Sequence, residues 1–123
     1  MNTTHISVIS LPVTDQQRAK AFYVDKLGFT LLSESPFEQG GQTLTWIQLA
    51  PPDAKTSITL VTWFPHLKPG GSDMVLETSD LDADVAQLRA KGVEVEAPFA
   101  TPWGEFAAFS DSEGNHWSLH QPA

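Results

Sequence analysis

The chain has 123 residues, 41% of them apolar and 10% aromatic, enough for one folded domain with a buried core. Seven Lys plus Arg stand against 15 Asp plus Glu, a net charge of −8. A surface this acidic argues against nucleic acid and anionic membrane as partners, because both require basic patches. No cysteine is present, so disulfides and thiolate metal sites are excluded. The opening MNTTHISVIS lacks a basic segment followed by an apolar stretch, and no apolar run approaches the roughly 20 residues of a membrane span. A soluble cytoplasmic protein is the expectation.

ISVISLPV (6–13) is β-branched and apolar and predicts a buried strand. Thr14, with Gln17 three residues on, forms a possible capping box for a helix. That helix, DQQRAKAFYVDKL, puts Ala19, Phe22, Tyr23 and Leu27 on one face and stops at Gly28. FTLLSES (29–35) predicts a second strand and 36–41 a turn or loop. TLTWIQLA (43–50) and SITLVTW (57–63) predict two more strands. After the Pro- and Gly-rich FPHLKPGGS (64–72) the pattern restarts. DMVLETS (73–79) reads as a strand, Ser79 with Asp82 can cap a helix, and DLDADVAQLRAK carries Leu81, Val85 and Leu88 on one face before Gly92. VEVEAPF, GEFAAFSD and HWSLHQ then read as three strands. Superposing Gly28 on Gly92 brings the halves into register, Thr14 on Thr78 and Phe29 on Val93. The chain therefore reads as α+β, two βαβββ modules in tandem: module 1 about 5–63, a linker about 64–72, and module 2 about 73–121.

LPVTDQQRAKAFYVDKLGF (11–29), TSDLDADVAQLRAKGVEV (78–95) and PWGEFAAFSDSEGNHWSLHQ (102–121) together resemble the vicinal-oxygen-chelate (VOC) superfamily. That superfamily includes glyoxalase I, bleomycin-resistance proteins and extradiol dioxygenases. The resemblance covers nearly the whole chain. It departs at Asp111-Ser112-Glu113-Gly114-Asn115, where the family's turn commonly has Pro in place of Ser112. The resemblance implies a single VOC-type domain (1–123) with curved mixed sheets enclosing a cleft, and a homodimer as the common assembly. It also implies a divalent ion held by His and Glu side chains on the first and last strand of each module. Counted onto this chain, those positions are Val8, Thr59, Asp73 (or Ser72, one residue earlier) and Ser118. Only Asp73 is a good ligand for a divalent ion.

A relocated site would draw on His5, Asp73, Glu77, His116 and His120. His116 and His120, four apart, have the spacing of two zinc ligands on a helix, but the preceding turn and Trp117 point to a strand. Four strand residues span about 13 Å at roughly 3.3 Å each. Nitrogens about 2.0–2.1 Å from one zinc must be far closer than that. His5 falls on the strand face opposite Val8, as a chain-end histidine, and His66 lies in the linker as a solvated one. Asp73 and Glu77 share a strand face; they are either cleft groups favouring a cationic ligand or strand-end charges.

Without metal, the cleft contacts would be Ser10, Thr59, Trp63, Asp73, Glu77, Trp103, His116 and Ser118, an aromatic wall with polar groups. Trp63 shares parity with Thr59, although tryptophan also serves well as core. Parity does not assign Trp46, and Trp117 should pack under the helices. Gly-Gly at 40–41 and 70–71 lacks the helix-opening context of a phosphate loop, and no His-Glu-x-x-His run occurs. Three functions stand. One is a metal-free, cofactor-free protein of the bleomycin-resistance kind that binds a small organic molecule. Another is a glyoxalase-type lyase, isomerase or dioxygenase with Zn, Ni, Mn or Fe as Lewis acid in a rearranged site. The last is a metal-free enzyme with Glu77 or His116 as general base.

Overall fold

A computed structural model describes residues 1–123. The chain divides into two units, Met1–Pro69 and Gly70–Ala123, called modules 1 and 2 below. Module 1 runs β1 (Val8–Pro12), α1 (Gln16–Ala21), β2 (Thr30–Gln39), β3 (Gln42–Ala50) and β4 (Ser57–Val61). Module 2 runs β5 (Asp73–Glu77), α2 (Leu81–Ala90), β6 (Phe99–Thr101), β7 (Gly104–Ser110) and β8 (His116–Pro122). This is β-α-β-β-β twice, as the sequence periodicity leads one to expect. Each module forms one open four-stranded sheet, ordered β1-β4-β3-β2 and β5-β8-β7-β6. In each, the first and last strands pair in parallel and the remaining pairs are antiparallel.

The helices begin one residue later than the capping motifs suggest. Asp15 caps α1, its carboxylate accepting from the Arg18 N–H at 3.0 Å, and Asp80 caps α2 by accepting from the Ala83 N–H at 3.1 Å. A carboxylate placed there satisfies an orphan donor and faces the positive end of the helix dipole. Thr14 and Ser79 are therefore not the caps. Gln17 instead donates to Glu34 at 2.9 Å. After Ala21 the chain widens into a π-helical segment, Phe22–Lys26. Gly28 and Gly92 close the two helical segments at φ +71° and +86°.

Two strand expectations are corrected. β2 continues through Pro36 to Gln39 instead of ending at Ser35. A proline is tolerated there because β2 is the edge strand of its sheet. The turn is only Gly40-Gly41, both at positive φ, which is the geometry of a two-residue hairpin. In module 2 the 93–98 stretch is not a strand. Val95 makes a single bridge to Phe109, and β6 begins at Phe99, after Pro98, which has no N–H to offer a ladder.

In each module the helix covers one sheet face. Leu11, Ala19, Tyr23, Ile47, Leu49 and Leu60 are fully buried in module 1. Leu81, Val85, Leu88, Phe109, Trp117 and Leu119 form the corresponding core in module 2. Each Leu, Ile, Val or Phe among them contributes about 1.5–3 kcal/mol by leaving water. The opposite face of each sheet carries the residues of functional interest.

Candidate functional site

Pairing register decides which side chains meet on the open faces. In module 1, Gly40-Gly41 sets Gln39 opposite Gln42, and the ladder then places Ser35 opposite Trp46 and Phe37 opposite Leu44. Phe37 and Trp46 therefore share a face, and Trp63, two residues beyond β4, joins them. The Trp46 and Trp63 rings stack with centroids 6.4 Å apart and planes at 29°. Phe37 stands edge-on to both, at 6.3 Å and 5.3 Å. Phe64 extends the cluster from Trp63 at 5.9 Å, and His66 follows Phe64 at 5.6 Å, so this linker histidine has an aromatic neighbour. Edge-to-face and offset-stacked pairs of this kind each contribute about 0.5–1.5 kcal/mol beyond area burial.

Beside the cluster runs a hydrogen-bonded chain. Trp46 Nε1 donates to Gln48 Oε1 at 3.0 Å, Gln48 Nε2 donates to Ser57 Oγ at 2.7 Å, and Ser57 Oγ donates to the Ser7 carbonyl at 3.2 Å. Thr59, opposite Ser10 in β1 and Gln48 in β3, is different. It is fully buried, yet its hydroxyl has no partner.

In module 2 the parallel register sets Asp73 opposite His116, Val75 opposite Ser118 and Glu77 opposite His120. Antiparallel pairing with β7 adds Ser110 to the first row, Ala108 to the second and Phe106 to the third. His116, Ser118 and His120 thus occupy the open face while Trp117 and Leu119 are buried, as strand alternation requires. The two histidines do not converge. His116 Nδ1 hydrogen-bonds Asp73 at 3.0 Å, and His120 Nδ1 hydrogen-bonds Glu77.

His120 has a second partner, the Trp103 carbonyl, at 3.1 Å from Nε2. A carboxylate and a carbonyl only accept, so both ring nitrogens must carry protons to satisfy the pair. The hydrogen bond to Glu77, then that to the Trp103 carbonyl, hold His120 above its ordinary pKa against opposing desolvation. The His120 ring also stacks on Phe106 at 4.5 Å, and Phe106 on Phe99 at 5.8 Å. Trp103 is 72% exposed, so its backbone rather than its indole meets the histidine.

These geometries test the metal set that the sequence resemblance implies. Module 1 offers Val8 and Thr59 at the two positions, with Ser57 and Ser10 opposite them. Module 2 offers Asp73, already bonded to His116, and Ser118. Nowhere do three or more His, Asp or Glu side chains converge to hold an ion. His5 lies in the exposed N-terminal stretch, hydrogen-bonded to Thr4. The donors present do not fit a divalent ion. Asp73 and Glu77 each engage an imidazole, with 74% and 64% of their side chains exposed.

Phe37, Trp46, Gln48 and Phe64 in module 1, and Phe99, Phe106 and Ser110 in module 2, are open-face residues that strand parity alone missed. The signal for the first group was available. Reading Gly40-Gly41 as a two-residue turn gives the pairs from Gln39–Gln42 to Ser33–Gln48 by counting, as far as the bulge between Leu31 and Ser33.

Comparison with known proteins accords with this architecture. The family model for the Glyoxalase/Bleomycin resistance protein/Dioxygenase superfamily matches residues 5–119. The solved structure of TnmS3, an antibiotic binding protein from Streptomyces sp. CB03234, is 46% identical. It covers 100% of this chain and 99% of its own, with a TM-score of 0.93. A glyoxalase/bleomycin resistance protein from the same organism is also 46% identical, covering 95% and 100% with a TM-score of 0.83. The uncharacterized protein YetH of Bacillus subtilis (strain 168) is 30% identical over 122 residues, 94% of this chain and 97% of YetH. The chain belongs to the Glyoxalase/Bleomycin resistance protein/Dioxygenase superfamily.

Proposed function

We propose that the chain binds a small, flat aromatic molecule of the antibiotic kind on the open face of module 1 and holds it without transforming it, using no metal. The observation that carries this reading is the Phe37–Trp46–Trp63–Phe64 cluster. Its rings are arranged on one face with no Asp, Glu, Lys or Arg among them, so the surface favours a neutral π-system over an ion. The neighbouring chain of Trp46, Gln48 and Ser57 fixes the indole and supplies polar contacts at the edge. Likeness to an antibiotic binding protein at 46% identity supports the ligand class. The donor set at Val8, Thr59, Asp73 and Ser118 supports metal independence, because three of these four side chains are poor ligands.

The test is a titration of the metal-stripped protein with planar aromatic antibiotics, followed by tryptophan fluorescence, with aminoglycosides as the non-aromatic control. Saturable quenching by the aromatic class alone is expected, with each molecule recovered intact by mass spectrometry. Trp63→Ala should weaken binding about tenfold, the equivalent of one to two lost ring contacts at about 0.5–1.5 kcal/mol each. Absence of saturable quenching, or chemical conversion that depends on added Zn, Ni, Mn or Fe(II), overturns the proposal.

A further inference from the structure

The open face of module 2 carries two carboxylate–imidazole pairs that look alike in sequence and differ in chemistry. In Glu77–His120 both ring nitrogens are occupied, Nδ1 by the carboxylate and Nε2 by the Trp103 carbonyl. In Asp73–His116 only Nδ1 is occupied. The His116 side chain is 47% exposed, and its Nε2 has no partner. Ser110, opposite His116 in β7, is exposed with its hydroxyl unengaged. One row across three strands therefore presents a carboxylate, an oriented imidazole and a free hydroxyl.

We infer that the Asp73–His116–Ser110 row is a hydrogen-bonding subsite for a ligand bearing an acidic hydroxyl, a phenol or enol. This subsite stands on module 2 alone and does not depend on the aromatic face of module 1. Asp73 acts as a positioning residue. By accepting the Nδ1 proton it fixes the tautomer and turns Nε2 outward. With Nδ1–H given to Asp73, Nε2 carries the lone pair that accepts a phenolic O–H. An ether or a bare hydrocarbon has no proton to donate, and an ammonium has no lone pair left to accept a second hydrogen bond. Ser110 Oγ can donate to the same oxygen.

The floor next to the row suits an aromatic ring. Two residues along the strands, about 6.6 Å away, lie Val75, Ser118 and Ala108, small side chains with Val75 55% exposed. A further step brings the Phe106 and Phe99 stack. A fused bicyclic ring lying on the middle row therefore places its hydroxyl at His116 Nε2. Across its row, His116 faces the charged Asp73 from β5 and the neutral Ser110 from β7.

The experiment uses the full chain and two probes of matched shape, 1-naphthol and 1-methoxynaphthalene. Long-range proton–nitrogen spectra of the imidazoles read the subsite, and the indole N–H signals of Trp46 and Trp63 in the same sample read module 1. Naphthol should move the His116 Nε2 resonance saturably and leave both His120 nitrogens unmoved, while the ether moves neither. His116→Leu should lower naphthol affinity by about three- to tenfold, the worth of one net hydrogen bond, and leave ether affinity unchanged. Equal naphthol affinity in His116→Leu, or naphthol binding that leaves His116 unmoved, overturns the inference, as does absence of naphthol binding. Indole shifts with a silent His116 overturn it while leaving the module 1 reading intact. His116 shifts with silent indoles support it and count against module 1.

Discussion

Gly104 opens β7 at φ +134°, where an added Cβ would lie 2.1 Å from the Gln121 carbonyl oxygen and 2.9 Å from the Ala123 nitrogen. Both are backbone atoms at the end of β8, so Gly104→Ala cannot be relieved by rotating a side chain; the strands must part. Backbone strain at this φ costs about 1–3 kcal/mol. Overpacking against a neighbouring element adds about 1–3 kcal/mol. Together they predict a loss of about 2–6 kcal/mol. Gly41→Ala is the control, since its φ is +76° but its Cβ meets nothing within 4 Å. Only the left-handed conformation is penalised there, by about 1–2 kcal/mol. With a urea dependence of about 2 kcal/mol per molar, Gly104→Ala should lower the unfolding midpoint by about 1–3 M and Gly41→Ala by about 0.5–1 M. The same displacement would carry the Trp103 carbonyl away from His120, because Ala123 donates to that carbonyl at 3.1 Å. The His120 pKa in Gly104→Ala should then fall back toward its ordinary value when followed by NMR. Equal midpoints for the two variants would refute the steric argument.

His120 makes the pH dependence of stability testable. Its folded-state pKa is raised above the ordinary 6.5, so its contribution is complete below 6.5 and is lost as pH rises through the higher folded value. Glu77→Gln should flatten that alkaline-side decline in Tm, and identical profiles would rule out the pair as its source. Glu34 behaves oppositely: hydrogen bonds from Lys20 and Gln17 hold its carboxyl below 4.5, so its contribution is present above 4.5 and lost as pH falls through the folded value. Lys20→Met should shrink the acid-side slope slightly, as befits a solvent-screened pair; an unchanged slope assigns it elsewhere. Asn115→Ala strands the Gly70 N–H that Asn115 Oδ1 accepts at 2.8 Å and takes from Asp111 Oδ2 the Nδ2 donor at 3.1 Å, leaving Asp111 Oδ1 its backbone donors Glu113 and Asn115. With Asn115 fully buried, the loss should be about 2–5 kcal/mol in chemical denaturation, and a loss below about 1 kcal/mol contradicts that accounting.

What could be read beforehand, and what could not, divides along a physical line. Periodicity exposed the tandem modules because helix faces such as Leu81, Val85 and Leu88 and strand alternation such as Trp117 and Leu119 are local patterns, and burial follows them. Trp63 on the open face followed from parity with Thr59. Pro36 misled, because its penalty in a strand depends on whether that strand is an edge, a fact of topology rather than of local sequence. The His116 and His120 partners were beyond reach for a similar reason. They depend on the register of a parallel pair whose strands lie 43 residues apart in the chain. Strand parity could place Asp73, Glu77, His116 and His120 on one face, but only the ladder shows which meets which.

That ladder also explains how one scaffold presents two unlike faces. The parallel pair of module 1 matches Val8 with Ser57, Ser10 with Thr59 and Pro12 with Val61. The equivalent rungs of module 2 match Asp73 with His116, Val75 with Ser118 and Glu77 with His120. The backbone hydrogen bonds are equivalent, so the sheet is indifferent to which set it carries. Module 1 has filled all three rungs with neutral groups, leaving the Thr59 hydroxyl orphaned at a rung where the superfamily resemblance implies a ligand. An unsatisfied buried hydroxyl costs about 1–3 kcal/mol, a modest penalty compared with that of a bare carboxylate buried at the same rung. Module 2 has kept ionisable groups but closed them on one another, carboxylate to imidazole. Nowhere on this face do three such side chains converge on one point. The same closure leaves one nitrogen, His116 Nε2, facing outward. The two pairs thus differ by a single contact, the Trp103 carbonyl that occupies His120 Nε2 and has no counterpart at His116.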